Sequence, residues 1–340
     1  MIPRGGGTKS DWGNPPARAD VILSTLKLNR IIEHAWADLT VTVEAGCTVA
    51  ALQKTLAEHG QRLALDPLWP EQATIGGILA TNDSGALRLR YGALRDLIIG
   101  VTLALADGTL AESGGKVVKN VAGYDLPKLA TGSLGTLGVI TRAVFRLHPL
   151  PRNSRTLTIP VADASAAERL MLTIQGTRLA HVALQARLGE DSLVDVLLEG
   201  TEAGIASQEA TIRGFAQVTV GTPEVWSARQ ELWPPPADAV VAKFSTLPDR
   251  IARTIDAVRS ASTNWSAVVQ ATGIGYVRLN GDLQALRAGL EREGGSLVIL
   301  TKSSLDAWGS VGDTLPLMRA LKQQLDPKGT LNPGRFAGGI

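Results

Sequence analysis

Pro70-Glu71-Gln72-Ala73-Thr74-Ile75-Gly76-Gly77-Ile78-Leu79-Ala80-Thr81-Asn82-Asp83-Ser84-Gly85 is the stretch on which the fold turns. Paired glycines followed by small residues leave room for a large planar group against the backbone. The plainer alternative is tight packing. Thr74 to Asn82 reads as an apolar turn around Gly76 and Gly77. Downstream, Gly132-Ser133-Leu134-Gly135-Thr136-Leu137-Gly138 sets a glycine at every third position before a buried strand. At the start, Arg4-Gly5-Gly6-Gly7-Thr8-Lys9 lets consecutive N–H groups turn toward one point, a nest for an anion. Thr8, Arg4 and Lys9 suit a phosphate there. Neither the Walker spacing nor GxGxxG is present. Asn332-Pro333-Gly334-Arg335-Phe336 supplies a fourth glycine-bearing loop near the end.

The chain has 340 residues, enough for about two domains. Of 36 glycines, 18 lie in residues 1–150 and 6 in residues 309–340, so two glycine-rich ends flank an ordinary middle. A net charge of +2 gives no field of the kind nucleic acid requires. One cysteine, Cys47, excludes an internal disulfide, a Cys-ligated zinc and an iron–sulfur cluster held by this chain alone. The four histidines show no metal-ligand spacing, so no metal site is expected. No apolar run reaches membrane length, and no apolar signal segment opens the chain, so direct membrane insertion is not expected and a cytoplasmic location is.

Organisation follows from periodicity. Leu39 to Ala45, Arg62 to Asp66, Leu97 to Ala106 and Val139 to Leu147 read as strands, and Thr48 caps a helix running to His59. Pro149-Leu150-Pro151 marks a domain boundary. Beyond it, strands and helices alternate as strand–helix–strand, strand–helix–strand, the ferredoxin-like pattern, and the spacing suggests that the pattern occurs twice. Val311 to Gln324 reads as a last amphipathic helix.

In combination and order, these glycine loops resemble the FAD-binding flavoproteins of the vanillyl-alcohol oxidase (p-cresol methylhydroxylase, PCMH-type) superfamily. Pro70 to Leu150 carries the likeness, and Asp326 to Phe336 fits it. Asn120 to Lys128 with Gly132 to Gly138 carries a closer likeness to the FAD-binding E subunits of bacterial glycolate oxidases. The resemblance implies an α+β fold: a two-part PCMH-type FAD-binding domain plus a ferredoxin-like α+β cap domain. Residues 1–150 would form the FAD-binding domain, with an N-terminal piece missing because the family has a strand–helix–strand before this loop. Residues 151–308 would form the cap, and residues 309–340 would return to the FAD domain.

For the cofactor, the resemblance implies that Arg4, Gly5, Gly6, Gly7, Thr8 and Lys9 cradle the pyrophosphate of FAD. Pro70, Thr74, Gly76 and Gly77 would line the path toward the flavin, continued by Ala80, Asn82 and Ser84. Gly132, Ser133, Gly135 and Ile140 would surround the adenosine half, and Asn332 would reach the flavin ring region. Covalent members carry a histidine where Thr8 stands here, so FAD should be held noncovalently. Related 2-hydroxy-acid dehydrogenases carry a metal-binding His-x-Gly-Asp-Gly-Asn-x-His stretch; its counterpart here, Gln270 to Leu279, has no histidine. Tyr124, Lys128 and Arg335 are weak candidates for catalysis, and Arg95 and Lys119 also lie near the motifs.

The activity implied is oxidation of glycolate or a similar small 2-hydroxy acid, within a complex with a catalytic D-type flavoprotein subunit and an iron–sulfur subunit. Any attachment to a membrane would run through those partners. Two alternatives stay open: a non-catalytic FAD-holding relay or scaffold subunit, and a stand-alone FAD-dependent alcohol or sugar oxidase.

Overall fold

The structure is a computed structural model that describes residues 1–115 and 124–340. The chain divides into two compact units. The first comprises Met1–Gly85, Tyr91–Leu150 and Ser310–Ile340; the second comprises Ala86–Arg90 and Pro151–Gly309.

In the first unit, β1 (Ile2–Arg4) pairs in parallel with β2 (Ile22–Ser24). Next come β3 (Ile31–Ala35), β4 (Thr40–Glu44), the two-residue β5 (Gln61–Arg62), β6 (Ile98–Ala104), β7 (Leu110–Gly114), β8 (Val139–Arg146) and β9 (His148–Pro149). Five of them form an antiparallel sheet in the order β3-β4-β8-β6-β7, and β5 pairs with β9. Every residue of β4 is buried, which suits a β-branched Thr-Val-Thr-Val run inside a sheet covered on both faces. Helix α1 (Val49–Ala57) starts where the Thr48 hydroxyl accepts from Ala51 N, and it buries Val49, Leu52 and Leu56.

Helix α2 (Ile75–Thr81) replaces the turn expected over Thr74 to Asn82. Two causes outweigh the poor helix propensity of Gly76 and Gly77. The Thr74 hydroxyl caps Gly77 N, and Ile75, Ile78 and Leu79 sit at helical spacing in the core with Val43, Leu52 and Phe145. Asn82 ends the helix in the left-handed conformation at φ 49°. The strand expected over Arg62 to Asp66 shrinks to β5, because only Gln61 and Arg62 find a partner strand.

The second unit is a doubled ferredoxin-like module. Its first half runs β10 (Asn153–Pro160), helix Ala164–Gly176, β11 (His181–Leu188), β12 (Ser192–Gly200), helix Glu202–Arg213 and β13 (Thr219–Gly221). The second half repeats the order with β14 (Val240–Ser245), helix Ile251–Ala261, β15 (Trp265–Gln270), β16 (Ile274–Leu279), helix Leu283–Arg292 and β17 (Ser296–Ile299). All eight strands join one antiparallel sheet, β13-β10-β12-β11-β15-β16-β14-β17, with the halves meeting where β11 pairs with β15. One face packs Leu184, Val196, Val269, Val277 and Phe244 against Met171, Ile174, Ile255 and Leu286 of the helices. By strand alternation, the other face carries Thr158, Asp195, Gln185, Arg187, Gln270, Tyr276 and Lys243.

Candidate functional site

A cavity of about 240 Å³ lies within the first unit. Its wall includes the whole loop Arg4–Lys9, then Thr74, Gly77 and Ala80 of the α2 region, Leu134, and Asn332 and Arg335 from the C-terminal tail. Segments far apart in sequence thus meet at one place. The volume is below the range of about 300–1,000 Å³ for whole small-ligand sites. It therefore matches one part of a dinucleotide rather than all of it.

The glycine loop is pressed against the start of α2. A Cβ on Gly5 would fall 2.1 Å from Thr74 Oγ1, and one on Gly6 would fall 1.9 Å from the Gln72 carbonyl oxygen. Gly7 sits at φ +74°, a conformation that glycine adopts freely. Among the hydrogen bonds of the described residues, none uses the backbone N–H of Gly6, Gly7 or Thr8. The start of α2 offers no such donors: Ile75 N bonds Cys47 O, Gly76 N bonds Ala45 O, and Gly77 N bonds the Thr74 hydroxyl. An anion in the cavity would therefore be met by the loop and the exposed Arg4, not by the helix terminus.

Lys9 corrects the expectation of a second phosphate cation. Its side chain is buried, its Nζ is 3.2 Å from Asp83 Oδ2, and it donates to the Leu68 carbonyl at 3.2 Å. The ring of Trp69 lies 5.4 Å from the ammonium and that of Trp12 5.8 Å. A desolvated, paired ammonium fixes the loop and is not available to a ligand.

The tail is placed by two buried clamps. Asp326 accepts from Thr330 N and Oγ1, from Leu331 N at 2.7 Å and from Lys322 Nζ at 2.6 Å. Lys322 also donates to the carbonyls of Thr136 and Leu331. Arg335, 8% exposed, donates to the carbonyls of Lys9, Ser10 and Trp12 and so staples the tail to the glycine loop. Between the clamps, Asn332 is 2% exposed; its amide donates to Leu134 O at 2.6 Å, and its Oδ1 has no partner. An unpartnered buried acceptor in a cavity wall is a feature that a bound hydrogen-bond donor would satisfy.

Burial pushes the Asp326 carboxyl up, but Lys322 and the N–H groups of Thr330 and Leu331 outweigh it and hold it below the ordinary aspartate value. A lowered carboxylate pKa contributes stability that is complete above the unfolded value, about 3.9. That contribution is lost as pH falls through the lowered folded value. Asp326→Ala is expected to cost about 3 kcal/mol at neutral pH, by leaving Lys322 buried without its carboxylate. The variant should also show a shallower acid limb than wild type in urea unfolding across pH. Equal stability at neutral pH would remove the clamp.

The other sequence-derived candidates fall elsewhere. Gly76 does not line the cavity: a Cβ there would sit 2.9 Å from Ala45 Cβ, so this glycine serves helix–strand packing. Ile140 is in the core of the first unit. Pro70, Asn82, Ser84, Gly132, Ser133 and Gly135 do not line the cavity. Asn82 Oδ1 and Ser84 Oγ are buried without partners. Tyr124 is 91% exposed, and Lys128 forms an exposed pair with Asp125, so neither candidate for catalysis reaches the cavity. Arg95 is exposed as well. Lys119 and Asn120 to Gly123 lie outside the described residues. Sequence reasoning missed Ile2, Pro3, Ser10, Pro16, Ile22, Thr81 and Leu134, which also line the cavity. Of these, Leu134 lies inside the glycine run and could have been found there.

Among the described residues, no group of three or more His, Cys, Asp or Glu is placed to hold a metal ion, and no helix is long and apolar enough to cross a membrane.

Residues 1–114 match the protein family described as FAD binding domain. The chain is 34% identical over 185 residues to glycolate oxidase subunit GlcD of Bacillus subtilis (strain 168), a match covering 54% of this chain and 39% of that protein. It is 28% identical over 313 residues to glycolate oxidase subunit GlcE of Escherichia coli (strain K12), covering 90% of this chain and 84% of that one. An alkyldihydroxyacetonephosphate synthase structure shares the fold, with a TM-score of 0.72 at 18% identity over 98% of this chain and 72% of the other. The match to the first of these relatives spans about two fifths of its length.

Proposed function

From an FAD binding domain at residues 1–114, we propose that this chain holds FAD noncovalently in the cavity of the first unit. We further propose that it serves as an FAD-dependent oxidoreductase subunit acting on glycolate or a similar small 2-hydroxy acid. The observation that carries the FAD part is that Gly6, Gly7 and Thr8, whose N–H groups make no hydrogen bond, and Asn332, whose buried Oδ1 has no partner, line one cavity. In this reading Arg4 and Gly5 to Thr8 meet the phosphates. Thr74, Gly77 and Ala80 form the floor, and Asn332 closes the tail side. Lys9 and Arg335 fix the loop through their buried bonds. Bound flavin would take electrons from the substrate carbon and hand them on to partner subunits. The substrate class rests on the relatives named glycolate oxidase subunits, and the same names support work within a complex. A catalytic D-type flavoprotein subunit and an iron–sulfur subunit are the partners proposed.

The test is the visible spectrum of the purified chain before and after anaerobic glycolate. Flavin absorbance released by acid precipitation would show noncovalent binding. Bleaching by glycolate is the expected result. Absence of flavin would sink the cofactor assignment. Flavin that bleaches only after a partner subunit is added would assign the chain to electron relay.

A further inference from the structure

Strands β1 and β2 stand apart from the five-stranded sheet. They pair with each other in parallel, and among the described residues no third strand joins them. Parallel strands are normally covered on both faces, and a lone pair is marginal in water. Here β2 is bare. Val21, Ile22, Leu23 and Leu26 are all exposed, Ile22 at 60% and Leu23 at 39%. Proline and charge usually blunt an edge of this kind, and the run Val21-Ile22-Leu23-Ser24 has neither.

The main chain is bare as well. Ile2 N–H donates to Val21 O at 2.8 Å, and Thr25 N–H donates to Arg4 O at 2.9 Å. A parallel ladder in this register turns the N–H and C=O groups of Val21, Leu23 and Thr25 toward β1, and those of Ile22 and Ser24 outward. Outside that ladder, no hydrogen bond of the described residues uses the main chain of Ile22 or Ser24. The outer edge of β2 therefore offers donors and acceptors with apolar side chains beside them.

Another extended strand fits such an edge, and the charges at its two ends select a second copy of this chain. Asp20 precedes β2 and Lys27 follows it; both are exposed. Asp20 pairs with the exposed Arg18, while the Lys27 ammonium has no partner among the described residues. An antiparallel copy of β2 brings each Asp20 to the other copy's Lys27. We infer that β2 joins the β2 of a second copy about a two-fold axis at Leu23, making one four-stranded sheet. The outward groups set this register: Ile22 exchanges both main-chain hydrogen bonds with the other copy's Ser24, and Ser24 does so with the other copy's Ile22. Leu23 then faces its own counterpart across the axis, and Val21 and Leu26 flank it. Ile22 also lines the cavity, so the seam runs along the cavity's rim.

Sedimentation of the purified chain across a dilution series tests this. A monomer–dimer equilibrium is expected. Leu23→Lys sets two ammonium groups face to face at the axis and should weaken the dimer at least about 100-fold. Leu23 is exposed, so the variant should melt, as a dilute monomer, at the temperature of the dilute wild-type chain. Asp20→Lys brings cations together at both ends of the seam and should weaken the dimer about tenfold; Lys27→Asp brings anions together and should do the same. Asp20→Lys combined with Lys27→Asp restores both pairs in the reversed sense and should recover wild-type affinity, which a purely local effect of either residue would not produce. A wild-type chain that stays monomeric at high concentration would overturn the interface, and so would a dimer that Leu23→Lys leaves intact. Failure of the reversed pair to recover affinity would overturn the antiparallel register, and with it the choice of a second copy.

Discussion

Gly77→Leu is expected to give a folded protein that retains almost no flavin, with affinity at least 100-fold lower, about 3 kcal/mol. Gly77 is on the cavity wall, and a Cβ added to it meets only Thr74 Oγ1, at 3.2 Å. A hydroxyl can give by a few tenths of an ångström, and replacing glycine inside a helix gains up to about 1 kcal/mol of propensity. The fold therefore accepts the side chain and the cavity loses its room. Gly76→Ala, one residue earlier, should do the opposite. Its Cβ would sit 2.9 Å from Ala45 Cβ and 3.2 Å from the Ala45 carbonyl that its own N–H already bonds at 2.7 Å. The helix must move off Ala45, the residue after β4, at about 1–3 kcal/mol. Flavin per chain and thermal midpoint, measured on both variants, separate the two roles. Normal flavin content in Gly77→Leu would place the cofactor elsewhere.

That contrast also marks what could be read from the sequence. The second unit was legible because strand and helix periods are local, and two βαββαβ runs follow one another between Asn153 and Ile299. Helix α2 was not, because the Gly76-Gly77 pair argues for a turn and only the burial of Ile75, Ile78 and Leu79 reverses it. At the site, glycines reported where backbone approaches something closely, but not what it approaches. Gly5 and Gly6 accommodate Thr74 and Gln72, and Gly76 accommodates Ala45. Lys9 looked like a phosphate ligand because its partner Asp83 is remote in sequence and sits in a stretch read as a flavin path. Asn332 was legible as a returning residue; Arg335 was legible only as a stray cation, since main-chain carbonyls that need a donor leave no mark in a sequence.

Those carbonyls set the second large effect. Arg335→Met should lower stability by about 3–5 kcal/mol and release flavin as well. The guanidinium donates to Lys9 O at 3.2 Å, Ser10 O at 2.6 Å and Trp12 O at 3.1 Å. Methionine fills much of the volume but removes the guanidinium donor from the Ser10 and Trp12 carbonyls and leaves the Lys9 carbonyl with the Trp12 N–H alone, and an unmet buried acceptor costs about 1–3 kcal/mol. Arg335→Lys keeps the charge and presents one compact ammonium in place of a planar fork, so it should recover only a fraction. Burial pulls the Arg335 pKa down, with Asp11 opposing, but the reference value for arginine is so high that it stays charged. Its contribution therefore has no titration at neutral pH, unlike the acid-sensitive Asp326 clamp. Loss of flavin follows for a separate reason: the same bonds hold the carbonyls that flank the loop, and Gly6 to Thr8 can converge on one anion only while those carbonyls are fixed. If the effect ran through stability alone, flavin affinity measured well below the melting temperature of Arg335→Met would equal that of wild type. A drop there, with the folded baseline intact, assigns Arg335 to positioning the cofactor loop.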